Sequence, residues 1–227
     1  MKFGSTTYGM GDTLLLTSVC KYFPNKFTIQ LTKDVSRFSI FFEHLANVEI
    51  CEKHQINPIP DIGFSGHYAT RKLRNFFGDA ADGLDNRPLV LFSDKESEIW
   101  ASNFLKDKKN PCIVVKNCSK NWSDVRSIPD SFFNEILKYI KQNHTPIICQ
   151  SSFNYTKTQE IELVDLDLKK YISLLRQTGN YFGANTGDEH LATAVGCRTI
   201  VWQPRNSDKF NSSEWNYNHP NSTYLNW

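Results

Sequence analysis

The chain has 227 residues, enough for one large domain or two compact ones at ~150 residues per domain. Hydrophobic residues at 40%, aromatic residues at 13% and charged residues at 22% allow a packed core and exclude general disorder. A formal net charge of +2 argues against a nucleic-acid backbone as default partner, no apolar run approaches the ~20 residues of a membrane span, and the N-terminus lacks the apolar segment of a signal peptide, so a soluble, cytoplasmic protein is expected.

In the N-terminal portion, Phe3 to Thr7 reads as a polar strand and Gly9-Met-Gly-Asp12 as a turn. Leu14, Leu15, Val19 and Phe23 then give a helical face that Pro24 stops. Phe27 to Leu31 is a strand, Phe38 to Leu45 a helix, and Val48 to Cys51 another strand. Residues 54–66 read as a loop, and Tyr68 to Phe77 as a basic helix through Arg71, Lys72 and Arg74, for which a solvated face is favoured over an anionic acceptor. The stretch from Asp79 to Pro88, with Gly83, Asp85 and Asn86, is the best linker, which divides the chain into domains 1–88 and 89–227.

The second part is more legible. Cys112 to Lys116, Pro146 to Gln150, Glu162 to Leu166, Asn180 to Ala184 and Arg198 to Trp202 are short strands. Between them lie a helix through Phe132, Phe133, Ile136, Leu137 and Ile140, one from Lys169 to Thr178, and one opening near Asp188. Strands alternating with helices predict βα units on parallel sheets, an α/β class. The tail from Asn206 to Trp227 is poor in aliphatics and is expected to wrap the surface. Six cysteines, at 20, 51, 112, 118, 149 and 197, form no CxxC pair, so reduced and mostly buried thiols are expected and no metal site.

Ligands of open α/β sheets bind beyond the carboxyl ends of strands, and three loops fit that place. In Gly9-Met-Gly-Asp12 the glycines permit close backbone approach, and Asp12 is either a functional carboxylate or a plain N-cap. The spacing is not GxGxxG, so a dinucleotide fingerprint is absent. In Asn185-Thr-Gly-Asp-Glu-His190 a helix start suits a phosphate, yet Thr186 and Glu189 also make a capping box. The third loop, Ser119 to Pro129, offers Lys120 and Arg126 as cations at the rim; read alone, it is a solvated loop.

Taken in order, these loops resemble the ADP-heptose:lipopolysaccharide heptosyltransferase family, glycosyltransferase family nine. Members open with a Gly-x-Gly-Asp turn into a Leu/Thr/Pro-rich helix, as in Gly9-Met-Gly-Asp-Thr-Leu-Leu-Leu-Thr-Ser18. Arg126-Ser-Ile-Pro129 followed by Phe132-Phe133 is similar to the family's Lys-x-Trp-Pro element. Asn185-Thr-Gly-Asp-Glu-His-Leu-Ala-Thr-Ala-Val-Gly196 is similar to its Asp-Ser-Gly-Pro-Met-His-Leu-Ala-Ala-Ala-x-Gly block. The departures are Arg126 for Lys, Ile128 for Trp, Asn185 for Asp, Asp188-Glu189 for Pro-Met, and Cys118 for a Gly; the N-terminal domain is also shortened.

The resemblance implies a GT-B-like fold, two Rossmann-like βα domains with parallel sheets facing an interdomain cleft. It implies an inverting, metal-independent glycosyltransferase that moves a sugar from a nucleoside-diphosphate sugar to an acceptor glycan or another hydroxyl-bearing molecule. Asp12 would be the catalytic base. Gly11, Ser119, Arg126, Asn185, Thr186, Gly187, Asp188 and His190 would bind the donor, with no cofactor and no metal. A homo-oligomer stays open. The alternatives are a catalytically silent nucleotide or nucleotide-sugar binder and an unrelated α/β hydrolase, the latter disfavoured by the lack of a Gly-x-Ser-x-Gly motif.

Overall fold

Residues 13 to 20 are apolar or small almost throughout, and a helix of that composition has to be buried all round. The computed structural model describes residues 2–3, 10–22, 26–31, 33–51, 79, 87–116, 123–150, 163–164, 166–203 and 219–226. Backbone proximity divides the chain into two units, Met1–Leu89 and Val90–Trp227.

In the first unit, β1 (Lys2–Phe3), β2 (Phe27–Gln30) and β3 (Val48–Cys51) form a three-stranded parallel sheet in that order. Between β1 and β2 lies α1 (Met10–Cys20), with Leu14, Leu15, Leu16 and Cys20 buried. Two of its buried hydroxyls are satisfied locally: Thr17 Oγ1 donates to Leu14 O and Ser18 Oγ to Leu15 O, each at 2.6 Å. The helix starts earlier than the sequence suggests. Met10, Gly11 and Asp12 belong to its first turn rather than to a preceding turn, which suits an acidic residue near the positive end of the macrodipole. The helix expected at 38–45 is instead a 3₁₀ segment, Lys33–Phe42. Side chains three apart eclipse in that geometry, and Phe38 accordingly stacks on Phe41 with centroids 5.6 Å apart. The loop at 54–66, the basic helix at 68–77 and most of the linker lie outside the described residues.

The second unit is a six-stranded parallel sheet. Its elements in chain order are α2 (Lys95–Leu105), β4 (Pro111–Val115), α3 (Ser123–Arg126), α4 (Asp130–Asn143), β5 (Thr145–Gln150), β6 (Leu163–Val164), α5 (Leu168–Thr178), β7 (Asn180–Ala184), α6 (Gly187–Ala194), β8 (Arg198–Gln203) and β9 (Ser222–Asn226). The strand order is β6-β5-β4-β7-β8-β9, every neighbour parallel. Alternation sends Cys112, Val114, Ile148, Phe182, Ala184 and Trp202 into a core with Phe133, Leu137 and Ile140 of α4. Ile113, Tyr181 and Val201 have the opposite parity, and α5 and α6 contact that side of the sheet. Asp167 caps α5 by accepting from Lys169 N and Lys170 N, and Gly179, at φ 68°, ends it in the left-handed conformation that glycine adopts without a Cβ penalty. A polar cluster ties α2 to α5: Glu98 accepts from Ser173 Oγ at 3.0 Å and Gln177 Nε2 at 2.6 Å.

The C-terminal segment differs from expectation. Ser222–Asn226 is a strand beside β8, with Val201 opposite Tyr224. Few aliphatics are needed at a sheet edge, where one face is half exposed, so its composition reads as surface coil. Residues 204–218 lie outside the described ones.

The sheet also fixes one glycine. A Cβ at Gly183 would lie 2.7 Å from Tyr181 Cζ and 2.9 Å from the Val115 carbonyl oxygen, and closer still to the Tyr181 hydroxyl. Tyr181 is 1% exposed and has nowhere to swing. Gly183→Ala is therefore expected to cost about 1–3 kcal/mol of stability through overpacking. Urea unfolding reads this directly; an unchanged midpoint would show that the sheet yields at no cost.

Candidate functional site

The strand order places the site. From β4 the chain moves outward through β5 to β6, then returns to the other side of β4 for β7 and moves outward again through β8 and β9. The order thus reverses between β4 and β7, whose register pairs Val115 with Gly183. Open α/β sheets bind ligands beyond the carboxyl ends of the strands at such a reversal.

Two segments leave those strand ends. After β4 the chain is brought back by Ile128, whose N–H donates to Lys116 O at 3.0 Å and whose side chain is buried in the α4 core. Ile128 thus does apolar work where the resembled family has Trp, and it holds α3 at the strand end. From α3, the Arg126 guanidinium donates to the Asn185 backbone carbonyl and, at 3.1 Å, to Asn185 Oδ1. Asn185 is itself buried just past β7, with its N–H on Trp202 O at 3.1 Å. Arg126 and Asn185, 59 positions apart, therefore meet at the reversal.

The start of α6 follows. Thr186 is the N-cap: its Oγ1 accepts from Asp188 N at 3.3 Å and donates to Asp188 Oδ2 at 2.9 Å. The Asp188 N–H is thereby engaged by the cap. Glu189 N donates to Thr186 O at 3.2 Å, but the Glu189 carboxylate does not return to the cap. It is fully buried and accepts instead from the Tyr224 hydroxyl of β9 at 2.7 Å, so Thr186 caps the helix through Asp188 N and the capping box anticipated from sequence does not form. His190, also buried, places Nδ1 3.3 Å from Nε2 of buried His219.

Burial governs the charges here. It pushes the Glu189 carboxyl up to about 8, against the hydrogen bond from Tyr224 and the nearby Arg126 charge, which lower it. Burial also raises Asp188, opposed by the hydrogen bond from Thr186. Tyr171 and Tyr181 are held well above the usual tyrosine range by burial and then by the Asp188 charge. The two carboxyl groups at the start of α6 are thus both biased toward their neutral forms.

Of the anticipated site residues, Arg126, Asn185, Thr186, Gly187, Asp188 and His190 converge at the strand-order reversal. Ser119 lies outside the described residues. Gly11 and Asp12 stand on the first turn of α1 in the other unit, Gly11 buried, the Asp12 side chain not among those described. Glu189 as a buried acid, His219 and Tyr224 escape sequence reading, because the last two come from the C-terminal strand region and no local spacing links them to α6.

No family model and no curated protein sequence matches the chain. Solved structures do. The chain is similar over 100% of its length, and 85% of the other chain, to the glycosyl transferase family 9 protein from Veillonella parvula, with a TM-score of 0.64 at 11% identity. It is similar to E. coli ADP-heptose lps heptosyltransferase II, with a TM-score of 0.64 at 10% identity over 99% of this chain and 89% of that one. E. coli heptosyltransferase WaaC with ADP matches with a TM-score of 0.52 at 13% identity over 100% and 91%.

Proposed function

We propose that the chain is an inverting glycosyltransferase that moves a sugar from a nucleoside-diphosphate sugar to an acceptor hydroxyl. The two Rossmann-like parallel-sheet units are those of the heptosyltransferase fold, the GT-B architecture, which the similarity over the full chain supports. The observation that carries the reading is the meeting of Arg126 with the Asn185–Gly187 turn at the strand-order reversal, next to the start of α6.

In this reading the second unit holds the donor. The Arg126 guanidinium and the first turn of α6 stabilise negative charge on the diphosphate as the glycosidic bond to it breaks. Protein cations thus do the work that a diphosphate-bound divalent ion does elsewhere, which makes the transfer step metal-independent. Burial keeps Asp188 from opposing that charge at full strength. Asp12, from the first unit, removes the proton of the acceptor hydroxyl as it attacks the anomeric carbon from the opposite face, inverting its configuration. An acceptor glycan is the first class to test, since the solved neighbours include a heptosyltransferase named for lipopolysaccharide. Among the described residues no helix is long and apolar enough to cross a membrane.

Thermal denaturation against a nucleotide panel tests the donor half. ADP, the nucleotide named with the WaaC structure, is expected to raise the melting temperature progressively as it exceeds its dissociation constant, by about 2.7 kcal/mol of stabilisation at 100-fold excess. A nucleoside-diphosphate sugar should do the same and be consumed when an acceptor is added. No response to any nucleotide would overturn the proposal.

A further inference from the structure

Glu189, His190 and His219 each present one potential ligand atom, and these atoms all lie within 4.8 Å of one another. All three side chains are buried, at 0%, 6% and 2% exposure. Sequence spacing hides the set, since His219 stands 29 positions beyond His190. We propose that these three residues form a binding site for a divalent transition-metal ion of the zinc class, which staples the first turn of α6 to the segment entering β9.

Three observations support the site. The separation of His190 Nδ1 and His219 Nε2 is 3.3 Å. Two nitrogens bound at about 2.0–2.1 Å to a tetrahedral zinc ion would be roughly 3.3–3.4 Å apart, so the imidazoles match the spacing of a tetrahedron edge, and the ion draws the carboxylate oxygen in from within 4.8 Å. The second is the carboxylate. Glu189 Oε1 accepts from Tyr224, while Oε2, equally enclosed, has no hydrogen-bond partner among the described residues. A buried carboxylate oxygen left so is costly, and a cation satisfies it. Third, the Tyr224 hydroxyl holds Glu189 by a hydrogen bond, as the outer partners of metal ligands commonly do.

The donor set selects the metal. Two imidazole nitrogens and one carboxylate oxygen suit zinc and its first-row neighbours, whereas calcium and magnesium prefer all-oxygen surroundings. Three protein ligands leave a fourth position for water. The ion's proposed role is to hold the C-terminal strand against α6; it takes no part in the transfer chemistry. The site therefore stands or falls separately from the glycosyltransferase reading.

The test uses the full chain, stripped with a chelator and titrated with Zn²⁺ by calorimetry without any nucleotide. One ion per chain is expected to bind, and the melting temperature to rise with free Zn²⁺. Tyr224→Phe, which removes only a hydroxyl, should weaken binding by roughly 10–100-fold. Glu189→Gln and His219→Ala should weaken it further, with circular dichroism confirming that each variant is folded. Absence of stoichiometric binding by the wild-type chain would overturn the proposal. So would binding unchanged in folded Glu189→Gln and Tyr224→Phe, since it would place the ion elsewhere, for example on the cysteines.

Discussion

Asp12→Asn is expected to lower the rate of sugar transfer by roughly 10²–10⁴-fold while leaving donor binding essentially unchanged. The substitution preserves size and hydrogen-bonding reach but removes the only property that a general base needs, a lone pair basic enough to accept the acceptor's proton. On the barrier that loss is about 2.7–5.5 kcal/mol. Its structural side effect is much smaller. Asp12 occupies the first turn of α1, where a negative charge near the helix start contributes about 0.3–1 kcal/mol, so the variant should fold and melt within a few degrees of the parent. Single-turnover transfer, equilibrium donor binding and melting temperature, measured on the same preparation, separate these effects. A variant that transfers at the parental rate moves the base elsewhere. A parent that binds donor yet transfers to no acceptor, and so gives the substitution nothing to abolish, would favour a silent nucleotide-sugar binder.

Much of the second unit was legible because its strands are short, apolar and sharply bounded. Asn110-Pro111 opens β4, and Gly179 both ends α5 and precedes β7, with the alternation of Tyr181 and Phe182 sorting the two faces of the sheet. The first unit was harder. Two glycines around Met10 argue locally for a turn, but the Leu14–Leu16 run recruits the residues before it into a helix, which tertiary burial stabilises against glycine's propensity. The segment expected as a helix at 38–45 does not reveal its 3₁₀ type in the sequence, because Phe38, Phe41 and Phe42 fit either period over so short a stretch.

The candidate site divides along the same line. Arg126 and the turn from Asn185 to Gly187 are singled out by the family resemblance, since the local signals, a cation before a Pro-opened helix and a Thr-Gly helix start, fit a solvated loop and a capping box equally well. What those signals could not convey is partnership. The pairing of Arg126 with Asn185 depends on β4 and β7 being neighbours, a fact of sheet order. Glu189 illustrates the limit most clearly. Its spacing from Thr186 fits a capping box, and the backbone bond to Thr186 does form, yet its carboxylate turns inward because a strand some 35 positions later supplies a tyrosine hydroxyl. The residues that were missed are those whose environment is built by β9, the strand whose polar composition concealed it.

Arg126 carries the second large expected effect. Arg126→Ala should weaken ADP binding by roughly 10–100-fold, the loss that goes with about 1.5–3 kcal/mol for a hydrogen bond to a charged group. The transfer rate should fall further still, because charge on the diphosphate grows as the sugar departs and an interaction that strengthens with it acts on the transition state more than on the bound donor. Arg126→Lys keeps a point charge but loses the planar guanidinium that can hold Asn185 through Nη2 and offer its other N–H groups to a phosphate, so it should recover part of the affinity and less of the rate. A purely structural Arg126 predicts a different pattern. The side chain donates to both the carbonyl and the side-chain oxygen of buried Asn185, so its removal loosens the β7–α6 turn whatever its role toward a ligand. In that case the melting temperature would drop, but the folded variant would bind ADP as the parent does, and Lys would restore neither bond geometry nor any rate. The ratio of kcat to KM effects on the two variants, set beside their melting temperatures, decides between a residue that grips the leaving group and one that only braces the turn.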